Sequence, residues 1–171
     1  MLQVVNLTRA SETRTGKSLK HTTMSWRINN DCIEGHNGEI ICIMFPVVDS
    51  IYARIIKRTP DIMDSVQDFM EIYKSGRKMT KGKIDNFLEI IESTKDCDFK
   101  WEIDNDGDLF DKEKGKICFF PNKGTNDDII IKFVPDLLKA IKENASNFYT
   151  EPIQKPLYES LRRVIKQIDG Y

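Results

Sequence analysis

Apolar positions change their period repeatedly along this chain, and each change marks an element. Met24, Trp26 and Ile28 alternate with polar neighbours, the period of a half-buried strand. Gly35-His36-Asn37-Gly38 follows, with Asn37-Gly38 as a hairpin-turn signal, and Glu39 to Phe45 returns as an isoleucine-rich strand. Asp49-Ser50 reads as a helix N-cap ahead of Ile51 to Arg58. Thr59-Pro60 ends that helix and starts another, with Thr59 capping and Pro60 in the first helical position. Ile62, Met63, Val66, Phe69, Met70 and Tyr73 then keep helical spacing as far as Gly76. A third helix is predicted from about Thr80, with Ile84, Phe87, Leu88 and Ile91 on one face.

The same order then recurs. Phe99, Trp101 and Ile103 alternate, Asp106-Gly107-Asp108 turns, and Lys116 to Phe120 returns. Asn126-Asp127-Asp128 caps a short helix from Ile129 to Phe133, and Val134-Pro135 restarts a helix to about Ala145. Trp26 and Trp101 stand 75 positions apart, as do Pro60 and Pro135, whereas Cys42 and Cys118 stand 76 apart. Small compensating length changes in turns and loops leave such offsets, and an internal repeat takes precedence in reading a fold. From Pro156 a last amphipathic helix carries Leu157, Leu161, Val164, Ile165 and Ile168.

One hairpin cannot bury its own faces, so two are expected to join. The predicted fold is α+β: tandem β-hairpin–helix–helix repeats giving a four- to five-stranded antiparallel sheet covered by helices, with Leu2 to Leu7 as the optional fifth strand. A single domain is expected over 1–171. It holds a first repeat at about 24–75, a helical connector at about 78–95, a second repeat at about 99–145 and a C-terminal helix at about 156–169.

Composition alters this picture little. With 171 residues, 31% of them charged, and a net charge of -1, the chain as a whole gives no argument for a nucleic-acid or membrane partner. Charge is uneven, however. Residues 1–27 set Arg9, Arg14, Lys17, Lys20 and Arg27 against Glu12, a net of +4, and residues 95–113 carry a net of -5. The four cysteines, Cys32, Cys42, Cys97 and Cys118, form no C-x-x-C pair and follow no secretory leader, so reduced thiols and a cytoplasmic location in the host cell are expected.

Three stretches invite chemistry and fall short of it. Thr15-Gly16-Lys17-Ser18 resembles the tail of a phosphate-binding loop, but Ser11 stands where that loop needs glycine and no helix follows Ser18. Glu102 to Glu113 has acids at the third, fifth and twelfth places of a calcium loop, yet a strand rather than a helix follows it. His21 and His36, the two histidines, have no nucleophile or ligand partner in sequence. No catalytic residue, metal or cofactor is expected. The candidate partner-binding residues are the acidic Asp104, Asp106, Asp108 and Asp111 and the basic Arg14, Lys17 and Lys20. Because the basic stretch has no interleaved aromatics, any nucleic-acid binding there would be through phosphates.

Tyr52-Ala53-Arg54-Ile55-Ile56 and Pro60-Asp61-Ile62-Met63 resemble a motif of small phage and prophage proteins. In those it runs asparagine-alanine-arginine-leucine-isoleucine, three alanines, then proline-glutamate-leucine-leucine. Here Lys57-Arg58-Thr59 replaces the alanines, and the second copy matches through Ile129-Ile130-Ile131 and Val134-Pro135-Asp136-Leu137-Leu138. The resemblance brings no catalytic residues. It implies a non-catalytic phage-type accessory protein that binds a host protein and inhibits a bacterial defence system, such as CRISPR, as a monomer or homodimer. The alternatives are an immunity protein to a bacterial toxin and a nucleic-acid-binding accessory protein; a phage protein is the other possible partner, and no membrane is involved.

Overall fold

The computed structural model describes residues 25–45, 50–95, 101–145, 148 and 154–170. The expected strand at Leu2 to Leu7, the basic stretch with Arg14, Lys17 and Lys20, and the Asp49 cap lie outside the described residues. The first half runs β1 (Arg27–Asn29), β2 (Cys32–Glu34), β3 (Ile40–Met44), α1 (Ser50–Lys57), α2 (Thr59–Lys74) and α3 (Lys81–Ser93). The second runs β4 (Trp101–Ile103), β5 (Leu109–Asp111), β6 (Gly115–Phe119), α4 (Asn126–Glu143) and α5 (Gln154–Asp169).

The class is α+β, but the antiparallel sheet has six strands in the order β1-β2-β3-β6-β5-β4, not four or five. The extra strands come from inside the halves, each of which is a three-stranded meander rather than a hairpin. Asn30, at φ 52, takes the left-handed conformation that asparagine tolerates, so the predicted strand from Met24 to Cys32 folds back on itself there. In the second half, Leu109 to Asp111 forms a strand between the acidic turn and Gly115. Exchanging β1 with β4, β2 with β5 and β3 with β6 leaves the strand order unchanged. The equivalent strands β3 and β6 pair antiparallel at the centre, with Ile43 opposite Phe119.

Register and burial repeat too. A bulge lies at Ile33/Glu34 against β3 and at Leu109/Phe110 against β6. Ile41, Cys42 and Met44 are buried while Ile43 is partly and Ile40 more fully exposed, and Ile117, Cys118, Phe120, Phe119 and Lys116 repeat that pattern 76 residues on. A bulge inserts one unpaired residue and bends the strand, which is how Ile41 and Ile117 join their buried neighbours.

The helices depart from expectation at both prolines. Thr59 lies within α2, which follows Arg58, and its buried hydroxyl has no hydrogen-bond partner instead of capping. Pro60 lies in the first turn, where its missing N–H is no loss. Pro135, by contrast, stands inside the single helix α4, where a break was expected. Ile130, Ile131 and Val134 before it, and Leu137, Leu138 and Ile141 after it, are all buried at 0% exposure. Packing on both sides holds the helix together against an interior-proline cost of about 3 kcal/mol. The cap of α4 is Thr125, whose side chain accepts from the Asp128 N–H, while the Asp128 carboxylate accepts from the Thr125 hydroxyl and the Gly124 N–H.

One core joins the halves. Ile33, Cys42 and Met44 of the first meander meet Leu109, Cys118 and Phe120 of the second, under Ile55, Ile56, Leu137, Leu138 and Leu161 from the helices. Ile43, Phe45, Phe110 and Phe119 alternate with those strand residues and lie outside this core, on the other side of the sheet. No helix among the described residues is long and apolar enough to cross a membrane.

Candidate binding face and acidic turn

The turn between β4 and β5 is built by Asp104. Its Oδ1 accepts from the N–H groups of Asp106 at 2.9 Å and Asp108 at 3.0 Å, and its own N–H donates to the Asp108 carbonyl at 3.0 Å. An aspartate that bonds the backbone two residues on fixes a turn locally. Gly107, at φ +82, supplies the left-handed step. The result gathers Asp104, Asp106 and Asp108, with carboxylate oxygens all within 4.8 Å of one another.

Lysine ammonium groups stand where a bound cation would. Lys116 Nζ lies 3.1 Å from Asp104 Oδ2, 3.6 Å from Asp106 Oδ2 and 3.9 Å from Asp108 Oδ2. Lys123 Nζ lies 3.0 Å from Asp108 Oδ1 and also donates to the Asp106 carbonyl. The Asp108 N–H and the Lys116 ammonium hold the Asp104 carboxyl below its ordinary range, and Asp104 in turn raises Lys116. With β6 following instead of a helix, the calcium-loop geometry is absent.

The four candidate aspartates therefore separate. Asp106 is exposed and Asp104 half-buried at the turn, whereas Asp108 is 6% exposed and its carboxylate also receives the Phe120 N–H. Asp111 belongs to another environment and is corrected from contact surface to interior. It is 4% exposed, receives the Tyr52 hydroxyl at 2.6 Å, and accepts from the Glu113 and Lys114 N–H groups at 2.8 and 2.9 Å. Desolvation works to raise its pKa, but the Tyr52 hydroxyl and the two N–H groups outweigh it and hold the carboxyl below its ordinary value. Arg14, Lys17 and Lys20 lie outside the described residues.

Sequence reasoning missed the sheet's outer face. Ile40, 40% exposed, lies with Ile43, Phe119 and Phe110 in an apolar strip across β3, β6 and β5, and Phe45 meets Phe119 edge-on at 6.1 Å. One end of the strip is bounded by Glu34, which accepts from Asn29 at 2.7 Å and Arg27 at 2.8 Å. Lys116 and the acidic turn bound the other. The signal was present in Cys118-Phe119-Phe120, where a period of two must send Phe119 away from its neighbours.

A polar groove of about 330 Å³ runs between α2 and α3, lined by Asp61, Asp64, Asp68 and Glu89 among others. Arg58 pairs with Glu89 at 3.0 Å and Lys83 pairs with Asp68. His36, Asp104 and Asp108 do not line it. Comparison of the chain with protein-family models, curated proteins and solved structures gives no match.

Proposed function

We propose that this chain is a non-catalytic binding protein that docks the outer sheet face on a host protein, as a phage-type accessory protein inhibiting a bacterial defence system. The observation that supports it is the strip of Ile40, Ile43, Phe119 and Phe110, lying outside the core and rimmed by charge. Aromatic and aliphatic side chains at the centre of a patch, with polar groups around it, form the usual anatomy of a contact surface. The expected groups at its rim are Arg27 at one end and Asp106 at the other, both exposed.

Affinity capture from a bacterial host lysate, run beside Phe119→Asp and Asp106→Lys, tests the binding. A partner retained by the native chain, lost with Phe119→Asp and weakened with Asp106→Lys supports docking on this face. Equal capture by all three, with the variants folded by circular dichroism, removes it. The anti-defence role is tested separately: expression in defence-carrying cells should restore phage plating, and unchanged plating across the host's defence systems would exclude that role.

A further inference from the structure

Asn37 is the single asparagine in the sequence followed by glycine. It stands exposed at the tip of the β2–β3 turn, and Gly38 has nothing within 4 Å of where a Cβ would be. We infer that this turn is a site of spontaneous deamidation, a slow covalent change from amide to carboxylate that alters the tip. The Gly38 nitrogen, after losing its proton to base, attacks the Asn37 side-chain carbonyl carbon. The C–N bond to the amide breaks, ammonia leaves, and a five-membered imide forms. Water then opens either carbonyl, giving aspartate or the isoaspartate isomer at position 37. No oxidant or cofactor enters, and the absence of a side chain on Gly38 leaves the attacking nitrogen unshielded.

Two backbone bonds restrain the reaction in the folded turn: Gly38 N–H donates to the Gly35 carbonyl at 3.1 Å, and Gly35 N–H donates to the Glu39 carbonyl at 2.9 Å. Both lie at a loop tip, where local opening requires little more than their loss. The product disturbs what holds the tip. The Glu39 carboxylate accepts from the Asn37 N–H at 3.0 Å and folds back over Gly35, so a new carboxylate at position 37 meets a like charge. The isoaspartate form also routes the main chain through an added methylene, next to the strand that carries Ile40 and Ile43.

Incubation of the native protein at neutral and mildly alkaline pH, with peptide mapping by mass and an enzymatic assay for isoaspartate, tests this. Conversion should localise to Asn37, accelerate with pH and be lost in Asn37→Gln. It should run slower than in the urea-denatured chain by roughly thirtyfold, as opening the two turn hydrogen bonds implies. The denatured sample reports the chemistry without any fold, so it separates an inert sequence from a protected turn. Native conversion that stays undetectable after the denatured chain has fully converted overturns the inference. So does conversion at Asn105, in the exposed β4–β5 turn, that keeps pace with Asn37.

Discussion

The two halves keep their buried positions and exchange their polar ones. Ile62 and Met63 in α2 recur as Leu137 and Leu138 in α4, all at 0% exposure. On the outer face the chemistry changes hands instead. Glu34 pairs across β2–β3 with Ile40, while Phe110 pairs across β5–β6 with Lys116. Each pair holds one charged and one apolar residue, in opposite order. In the first half a carboxylate collects Asn29 and Arg27, and in the second an ammonium collects three aspartates. The apolar members run from Ile40 through Ile43 and Phe119 to Phe110, crossing from one half to the other. Burial constrains a residue through packing on every side, whereas an outer-face residue is constrained mainly by its neighbours. The difference between the halves therefore collects on the face proposed to bind.

The largest expected effect tests whether the shared core is one cooperative unit. Met63→Ala and Leu138→Ala stand at matching positions, and each should destabilise by about 3 kcal/mol, the usual cost of emptying such a site. Urea unfolding followed by fluorescence and by circular dichroism should show a single coincident transition in both variants. Two separated transitions would break the comparison, since each half would then hold its own core.

A second test lies at a buried contact that has no counterpart. Tyr52 of α1 donates to Asp111 of β5, joining the halves, and the positions matching them, Asp127 and Gly35, carry other chemistry. Tyr52→Phe should cost about 2 kcal/mol, the scale of a hydrogen bond to a charged group. The folded Asp111 carboxyl titrates below its ordinary value, so its stabilisation is present above the unfolded carboxylate range and is lost as pH falls through the folded pKa. Without the Tyr52 hydroxyl, desolvation is less opposed and the folded pKa rises. Acid unfolding should then begin at higher pH in Tyr52→Phe, and an unchanged acid limb would remove Tyr52 from the account.

The prolines sharpen the comparison at smaller scale. Pro135→Ala restores an N–H inside α4 and should stabilise by about 1 kcal/mol after the entropy returned to the unfolded chain. Pro60→Ala, in the first turn of α2, restores a donor that the helix does not use, and should be neutral or slightly unfavourable. Thermal melts of the two variants should move in opposite directions or differ by a few degrees. Equal shifts would mean that the break before α2 is not set by proline position.

Much of this architecture was legible in the sequence, and the parts that were not share a cause. Apolar residues at matching helical offsets, such as Ile55-Ile56 and Ile130-Ile131, are buried because their period states a face, whereas Ile28 and Ile103, in period with the buried Trp26 and Trp101, are 44% and 40% exposed against expectation. Three-residue strands such as β2 and β5 are too short for a period to register, and the Asn30 turn depends on a left-handed backbone that its neighbours do not announce. Pro135 was misread because tertiary packing of α4 overrides a local breaker. Asp108 and Asp111 look alike in an acidic run, yet opposite sides of β5 give one a lysine pair and the other a buried tyrosine. The acidic turn itself was legible, but its lysine partners come from 8 to 15 residues away in chain terms, and only the meander brings them back.

The finest distinction concerns what holds the two outer-face clusters. Glu34 is held below its ordinary pKa first by the Asn29 amide and then by Arg27, both side chains. Asp104 is held down first by a backbone donor, the Asp108 N–H, with Lys116 contributing less. Side-chain deletion should therefore act unequally. Asn29→Ala should move the Glu34 titration clearly upward, whereas Lys116→Met should move Asp104 only part of the way, because the turn's own N–H groups remain. Carbon-detected NMR titration of the carboxyl resonances reads both shifts. If Asp104 returns fully to its ordinary range without Lys116, the lysine rather than the backbone holds the acidic turn, and the two halves would both use side chains to settle their outer faces.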